Sequence, residues 1–141
     1  MTSDFSARVE TKVGPLLEER GFVLDEVDDR PDEGGIERHI VYYRSSDCKM
    51  QIYAFSREGE VNCMIAPLNA PNDFGLTGEQ WHYLSKFSKR SNAPPQERLR
   101  IAIAEANAYA DPLEWVRDRI VKYYDAARVG ILEMYGNSGT N

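Results

Sequence analysis

Two histidines are the side chains of this sequence best suited to acid–base chemistry near neutral pH. His39 lies on a segment with strand character, and His82 lies near the start of a short helical pattern. Either ring could titrate in that range and act as a general acid or base. Neither stands in a nucleophile elbow, beside a phosphate-binding glycine loop or in a histidine pair at metal-ligand spacing. We therefore predict no catalytic residues and no enzymatic activity.

Cys48 and Cys63 are predicted to be free thiols. If they lie on neighbouring antiparallel strands, in the register described below, they are roughly 20 Å apart at about 3.3 Å per residue. A disulfide cannot span that distance, and the spacing of cysteines and histidines matches no zinc-site pattern. The sequence thus predicts a protein of the reducing cytoplasm without a metal or a cofactor.

Acidic residues are concentrated before and within one predicted loop: Asp25, Glu26, Asp28, Asp29, Asp32 and Glu33. The cluster lacks the spaced oxygen donors, the central glycine and the flanking helices of a calcium-binding loop. Its simplest interpretation is a solvated hairpin. The functional alternative is a negative patch that steers a basic protein partner towards the protein. The candidate residues for that patch are Asp28, Asp29, Asp32 and Glu33.

Composition limits the classes of partner. The chain has 141 residues, of which 42% are hydrophobic, and a formal net charge of −6. Because nucleic-acid affinity depends largely on neutralising phosphates, this charge argues against DNA or RNA as a partner. It suits a basic protein partner, and it also suits simple solubility. No window reaches the roughly 18 apolar residues of a membrane span, so we expect no membrane partner.

One helix and four strands are predicted in the first half. Apolar residues recur at helical spacing over residues 4–20, and Pro15 is expected to kink or break this helix. Strand patterns follow at residues 22–28, 37–44, 49–55 and 60–66. The short connectors within this region force antiparallel hairpins. The fold class predicted is α+β, with a four-stranded antiparallel meander after an N-terminal helix and a helical C-terminal half.

The second half is predicted to contain three helices. A capping box at residues 77–80 opens a short helix, residues 94–95 start a second, and residues 111–112 start a third in which Gly130 is a potential interruption. The apolar stripe of the second helix is Leu99, Ala102, Ile103, Ala106 and Ala110. The small residues of this stripe would allow close approach to a neighbouring element.

The organisation predicted is one domain over residues 1–141. Helix and sheet occupy residues 1–66, and helices occupy residues 67–135. Residues 136–141 are polar with nothing to bury, which predicts a mobile tail.

Pairing across the turns assigns the strand residues to two faces. We consider Arg44 opposite Lys49 or Cys48, and Arg57 opposite Glu60. The aliphatic face, assigned to the core, is then Ile40, Tyr42, Met50, Ile52, Ala54, Cys63 and Ile65. The opposite face is His39, Val41, Tyr43, Lys49, Gln51, Tyr53, Phe55, Asn62 and Met64.

The tyrosine-rich face is the candidate interaction surface, because Tyr, Met and Arg are enriched where protein partners dock. Its candidate partner-binding residues are His39, Tyr43, Tyr53 and Phe55. Two readings stay open. Either the C-terminal helices cover this face, in which case its tyrosines are ordinary half-buried strand residues, or part of it stays open for a partner.

The order of elements resembles that of small immunity proteins of bacterial toxin systems. The resemblance covers residues 5–66, where it rests on Gly21-Phe22, Val41-Tyr42-Tyr43-x-Ser45, Met50-x-Ile52 and the turn Arg57-Glu58-Gly59-Glu60-Val61. It implies a cytoplasmic inhibitor that neutralises one toxin by stoichiometric occlusion, with no catalysis of its own. No site residues of the family can be carried over.

Two alternatives remain. Secretion chaperones of effectors are also small acidic α+β proteins, but they usually interleave helices with strands and dimerise through a helix. A small-ligand-binding protein or enzyme would need a pocket between sheet and helices around Trp81, Tyr109 and Trp115. In each case we expect a monomer or a weak homodimer.

Overall fold

The computed structural model describes residues 4–31, 34–55, 60–74, 78–87, 93–109 and 111–135. Its elements are α1 (Asp4–Lys12), α2 (Gly14–Glu19), β1 (Val23–Asp28), β2 (Arg38–Arg44), β3 (Cys48–Phe55), β4 (Glu60–Pro67), β5 (His82–Tyr83), a 3₁₀ helix (Leu84–Phe87), α3 (Pro95–Asn107) and α4 (Pro112–Tyr135). The predicted turn at 58–59, the start of the predicted capping box at 77 and the predicted tail at 136–141 lie outside the described residues.

Pro15 divides the N-terminal helix as predicted. Helix α1 ends at Lys12 and α2 begins at Gly14, since proline lacks an amide hydrogen and its ring clashes with the preceding turn. After α2, Gly21 takes a φ of 84°, which glycine adopts without the steric cost that a side chain would bring. This turn directs the chain into β1.

The sheet has five antiparallel strands in the order β1-β2-β3-β4-β5. The predicted α+β class and antiparallel sheet are confirmed, but the number of strands was wrong. Strand β5 pairs with β4 through Met64↔Tyr83 and Ile65↔His82. We predicted a helix there, and only the 3₁₀ turn after β5 is helical. A strand of two residues has no periodicity that a sequence can reveal.

Register decides which side chains share a face. Arg44 lies opposite Lys49, so Tyr42 lies opposite Gln51. The assignment of Tyr42 to the aliphatic face corresponds to Arg44 opposite Cys48 and was wrong. A shift of one residue moves every side chain of a strand to the other face, so all of β2 was placed on the wrong side. The assignments for β3 and β4 are confirmed.

The helices pack on the aliphatic face. The buried residues of α4 are spaced by three or four positions, as a single helical stripe requires: Leu113, Val116, Ile120, Tyr124, Ala127 and Ile131. They join α1 and α2 in one core cluster, whose strand residues are Val41, Tyr43, Cys48, Met50, Ile52, Cys63 and Ile65.

A loop covers the opposite face. Ala70 and Trp81, from the chain that follows β4, pack on Ile40, Tyr42, Tyr53, Met64 and Ala66. The indole nitrogen of Trp81 donates a hydrogen bond of 2.9 Å to the carbonyl oxygen of Pro71, which satisfies its only polar atom. This face is therefore neither open nor covered by the C-terminal helices, which were the two readings considered from the sequence.

Two buried polar side chains of β3 hold this loop onto the sheet. Lys49 Nζ donates to the carbonyl oxygen of Ala70 at 3.0 Å, and Gln51 Nε2 donates to that of Asp73 at 2.9 Å. Buried donors require acceptors, and the loop carbonyls provide them. Lys49 and Gln51 were assigned to an interaction surface, and they act instead inside the protein.

Helix α4 runs without a break from Pro112 to Tyr135, so the interruption considered at Gly130 is absent. The glycine serves packing instead. A Cβ atom at this position would lie 2.1 Å from Cδ1 of Phe87. The missing side chain is thus what allows the 3₁₀ helix to press its Phe87 ring against α4.

Helix α3 stands apart from both cores. Of its side chains that the structure describes, only Glu97 is even partly buried. Leu99, Ala102 and Ile103 of the predicted apolar stripe are exposed, so these three do not make the close approach that was considered. Ala110 and the side chain of Ala106 lie outside what the structure describes. Within the described ranges, no helix is both long and apolar enough to cross a membrane.

We predict that Tyr53→Ala lowers the free energy of unfolding by about 3–5 kcal/mol, because it empties a ring-sized volume in the second core. The ring is 3% exposed and packs edge to face on Phe74 with centroids 5.2 Å apart. Urea unfolding measures the change. Tyr53→Phe, which keeps the ring and removes the hydroxyl that lies 3.2 Å from that of Tyr83, should cost about 0.5–1.5 kcal/mol. Wild-type stability of Tyr53→Ala would contradict the loop-covered core.

We predict that Gly130→Ala destabilises the protein by about 1–3 kcal/mol through overpacking against Phe87, although alanine favours a helix by about 1 kcal/mol. A double-mutant cycle measured by urea unfolding separates the two effects. In a Phe87→Ala background the clash is gone, and Gly130→Ala should then stabilise. The same sign in both backgrounds would refute the contact.

Candidate protein-binding edge

The structure places Tyr43 and Tyr53, two of the predicted partner-binding residues, inside the protein. Each is 3% exposed, Tyr43 beneath the helices and Tyr53 beneath the loop. Burial raises the pKa of Tyr43 to about 12, so its hydroxyl stays neutral at physiological pH. Phe55 is half-buried and packs edge to face on Phe74. The tyrosines therefore cannot anchor a partner in this fold, and Phe55 exposes only part of its ring.

Asp28 is buried and bound by a neighbour in the sequence. Arg30 Nε donates to Oδ1 and Arg30 Nη2 to Oδ2, both at 2.9 Å, and the Arg30 amide donates to Oδ1 at 3.0 Å. The side-chain hydrogen bonds from Arg30 hold the pKa of Asp28 below its usual range. Because this bidentate pair compensates the charge locally, Asp28 adds little to a field that could steer a partner.

His39 bridges two carboxylates at the loop between β1 and β2. Its Nδ1 lies 2.7 Å from Oδ1 of Asp29, and its Nε2 lies 2.9 Å from Oε1 of Glu37. Burial lowers the pKa of His39, but the hydrogen bonds to Glu37 and Asp29 outweigh it and leave the pKa raised. The imidazole thus ties the two ends of the loop together. The predicted patch residues Asp32 and Glu33 lie outside the described residues.

His82 is also held at both ring nitrogens. Lys86 Nζ lies 3.2 Å from Nδ1, and the Tyr135 hydroxyl lies 2.7 Å from Nε2. An ammonium only donates, so Nδ1 accepts and Nε2 carries the proton. Burial and the charge of Lys86 lower the pKa of His82. In this arrangement neither histidine has a ring nitrogen directed at a cavity.

The cysteines are buried, free thiols. Burial raises the pKa of Cys48 to about 11 and that of Cys63 to about 12. Both thiols therefore stay protonated, and a protonated thiol is a poor nucleophile. Across the described part of the chain, no three His, Cys, Asp or Glu side chains are grouped so that they could hold a metal ion.

The predicted small-ligand pocket takes a different form. Trp81 packs on the face of the sheet that the loop covers, whereas Trp115 packs on the helix-covered side. Tyr109 and Trp115 do line a groove of about 220 Å³ between α3 and α4. Arg119 fills part of it, with its guanidinium 4.6 Å from the Trp115 ring centroid and 5.0 Å from that of Tyr123. The groove is a shallow surface feature, apart from the sheet.

The edge of the sheet at β1 is a candidate site that the sequence interpretation missed. Within the described residues, strand β1 pairs only with β2, and no described strand pairs with its other side. Its apolar side chains Val23, Leu24 and Val27 are 57%, 45% and 36% exposed. The strand contains no Lys, Arg or Pro, and the charged side chains that it does carry are Asp25, Glu26 and Asp28. Only the bulge between Leu24 and Glu26 disturbs it.

Asp25 and Glu26 are two carboxylates within this edge strand. Asp25 lies 3.6 Å from Arg44 and 3.8 Å from Lys49, so its charge is balanced within the protein. Glu26 is exposed and accepts a hydrogen bond of 2.9 Å from the neutral amide of Asn72. Its negative charge is therefore available to a partner. A signal for the edge existed in the sequence, because the first strand of a meander has a neighbour on one side only.

The chain matches no family model, no curated protein and no solved structure. The edge must therefore be interpreted from its own geometry.

We predict that the two histidines titrate on opposite sides of 6.5, the ordinary value for the side chain. In a ¹H–¹⁵N NMR titration, His39 should have a pKa above 6.5 and His82 a pKa below it, each serving as the control for the other. A pKa shift in the same direction for both rings, or a pKa of His39 below 6.5, would contradict the carboxylate bridge.

The free energy of unfolding should depend on pH through the raised pKa of His39. A pKa that is higher in the folded protein stabilises the fold fully below the unfolded value, and this contribution is lost as pH rises through the folded pKa. The difference in unfolding free energy between wild type and His39→Gln should therefore be largest below the ordinary histidine pKa of 6.5 and shrink as the pH rises above it. A difference that does not depend on pH would count against this linkage.

Proposed function

We propose that this protein is a stoichiometric protein-binding domain, and that it binds an extended basic segment of its partner along the open edge of β1. The observation that carries the proposal is the exposure of Val23, Leu24 and Val27 on an edge strand. Exposed apolar side chains grouped on one side of a strand, as Leu24 and Val27 are, mark interaction sites.

Strand addition explains how such an edge would bind. An incoming strand pairs with the unpaired backbone groups of the edge for affinity, and its alternating side chains provide specificity. Leu24 lies opposite Tyr43 and Val27 opposite Val41, so both belong to the helix-covered face. Glu26 belongs to the other face. A fitting segment therefore alternates apolar residues, beside Leu24 and Val27, with basic residues beside Glu26.

Charge favours a basic partner over a second copy of β1. Antiparallel pairing of β1 with itself about its centre places Asp25 opposite Glu26, and like charges directly opposite each other are destabilising. The net charge of −6 adds a general preference for basic partners and speeds their encounter. The acidic residues of the edge thus act against self-pairing while they admit a cationic strand.

An immunity protein is the specific role we favour. The resemblance to small immunity proteins of bacterial toxin systems motivates it, and occlusion of a basic surface on a toxin by an acidic edge is a mechanism without catalysis. A secretion chaperone is the second candidate, because an open edge also suits an unfolded effector segment. The two differ in the state of the partner: a 1:1 complex with a folded, inhibited toxin supports immunity, and a complex with an unfolded segment supports the chaperone.

We predict that Glu26→Lys weakens binding of a fluorescein-labelled peptide of alternating valine and lysine by about tenfold or more, since it replaces attraction by repulsion at the edge. About 1.4 kcal/mol corresponds to that factor. Asp125→Lys changes the same charge on the exposed side of α4 and should bind like wild type. Fluorescence anisotropy measures both, with a valine–glutamate peptide as the negative control.

Hydrogen exchange locates the contact. The peptide should slow exchange of the amides of β1 and leave those of α4 unchanged. Equal binding by the two charge variants, or protection elsewhere than on β1, would refute strand addition. Co-purification from the native host with wild type and with Glu26→Lys then identifies which partner depends on the edge.

A further inference from the structure

Helix α3 presents an apolar stripe to solvent. Leu99 is 63% exposed and Ile103 is 53% exposed, and they lie one turn apart on the same side of the helix as Ala102. At about 100° per residue, Glu105 and Ala108 lie on a different side, and these two line the groove towards α4. The stripe therefore points away from the rest of the described chain.

An uncovered stripe on a helix of this length has an energetic consequence. α3 has 13 residues, and isolated helices shorter than about 12–15 residues are marginal in water, because most helical stability in proteins comes from packing an apolar face. Leu99 and Ile103 belong to neither of the two core clusters, and more than half of each side chain is exposed. A partner that covers the stripe would therefore stabilise α3 and lower its exposed apolar surface.

We infer that a second copy of this chain covers the stripe, with the two α3 helices packed antiparallel about a two-fold axis that passes between residues 102 and 103. In this arrangement Ile103 of each copy lies opposite Ala102 of the other. A large side chain facing a small one allows two helices to interdigitate at close approach. The inference is independent of the β1 edge.

Charge supports a second copy over a basic protein. The charged residues of α3 are Glu97, Arg98, Arg100 and Glu105, two of each sign, so the helix has no net attraction for a basic partner. Glu97 and Arg100 pair with each other within the helix. No ion pair of Arg98 or Glu105 occurs among the residues that the structure describes. Both lie on the same flank of the stripe.

The antiparallel arrangement makes these two residues complementary. With the axis between residues 102 and 103, Arg98 of one copy and Glu105 of the other lie on a common flank. They are separated by about 3 Å along the helix, given a rise of about 1.5 Å per residue. The two-fold axis generates this contact twice. The surface is thus self-complementary in shape and in charge.

The length of α3 sets the strength of the dimer. Thirteen residues form a helix about 20 Å long, which is too short to bury by itself the roughly 1,200 Å² of a stable interface. We therefore expect a weak dimer whose population rises with protein concentration, in rapid exchange with the monomer.

Sedimentation velocity over a concentration series tests the dimer on the full chain. Wild type should shift from monomer to dimer as concentration rises. Leu99→Glu should raise the dissociation constant about tenfold or more, since dimerisation would bury an unpaired carboxylate. Val121→Glu is the matched control, because Val121 is 53% exposed on α4, and it should dimerise like wild type. A wild-type protein that stays monomeric up to millimolar concentration would overturn the inference.

Charge reversal tests the orientation. Arg98→Glu and Glu105→Arg should each weaken the dimer severalfold, because each places like charges together, and the double variant should recover wild-type affinity. Both residues are exposed in the monomer, so circular dichroism should report unchanged folding. Additive losses in the double variant would rule out the antiparallel pairing.

Cysteine crosslinking tests the position of the axis. Ala102→Cys places the two introduced thiols beside the two-fold axis, and mild oxidation should link them across the dimer. Ala104→Cys introduces an exposed thiol on another side of the same helix and should crosslink far less. The native thiols are buried and unreactive by comparison. Equal crosslinking at the two positions would refute the register.

Discussion

Burial of the central strands on both faces is the constraint on which the rest of this structure depends. Strands β2, β3 and β4 direct large apolar side chains to each side of the sheet. A sheet of this kind needs a layer on both sides, because a single layer would leave one apolar face in water. The helices α1, α2 and α4 supply one layer. The chain that follows β4 supplies the other, anchored by Trp81.

Polar contacts make the loop an effective layer. A loop has no regular backbone pairing, so its carbonyl groups need donors wherever it lies on a buried surface. Lys49, Gln51 and Trp81 provide those donors. Asp25, on the edge strand, lies within 3.8 Å of the Lys49 ammonium and accepts a hydrogen bond from Asn72 of the loop. The loop and the open edge of the sheet are thus joined through shared side chains.

Closure of both faces determines where binding can occur. Tyr43 and Tyr53, which look like anchors in the sequence, are buried in the two cores. The rings of both histidines are held by neighbouring side chains. Exposed apolar side chains occur along the edge of β1, on the outer side of α3, and at Val121, Val129 and Met134 of α4. The first two of these surfaces differ in charge: the edge is acidic, and α3 carries equal numbers of both signs. Two surfaces of different character suit two different partners.

The sequence by itself determined the local features. Proline and glycine positions located the break in the first helix and its end, and short polar turns determined the antiparallel meander, because these effects act between neighbouring residues. The predicted faces of β3 and β4 were correct because side chains alternate between the two faces along a strand.

Tertiary structure decided the rest. The face of β2 depended on a pairing that two adjacent residues, Cys48 and Lys49, could equally satisfy, and a difference of one residue exchanged its two faces. Whether Tyr53 is a surface anchor or a core residue depended on a loop more than ten residues away in sequence. A pattern of apolar residues shows that a side chain can be buried, but only the position of the other elements decides what buries it, as the exposed stripe of α3 demonstrates.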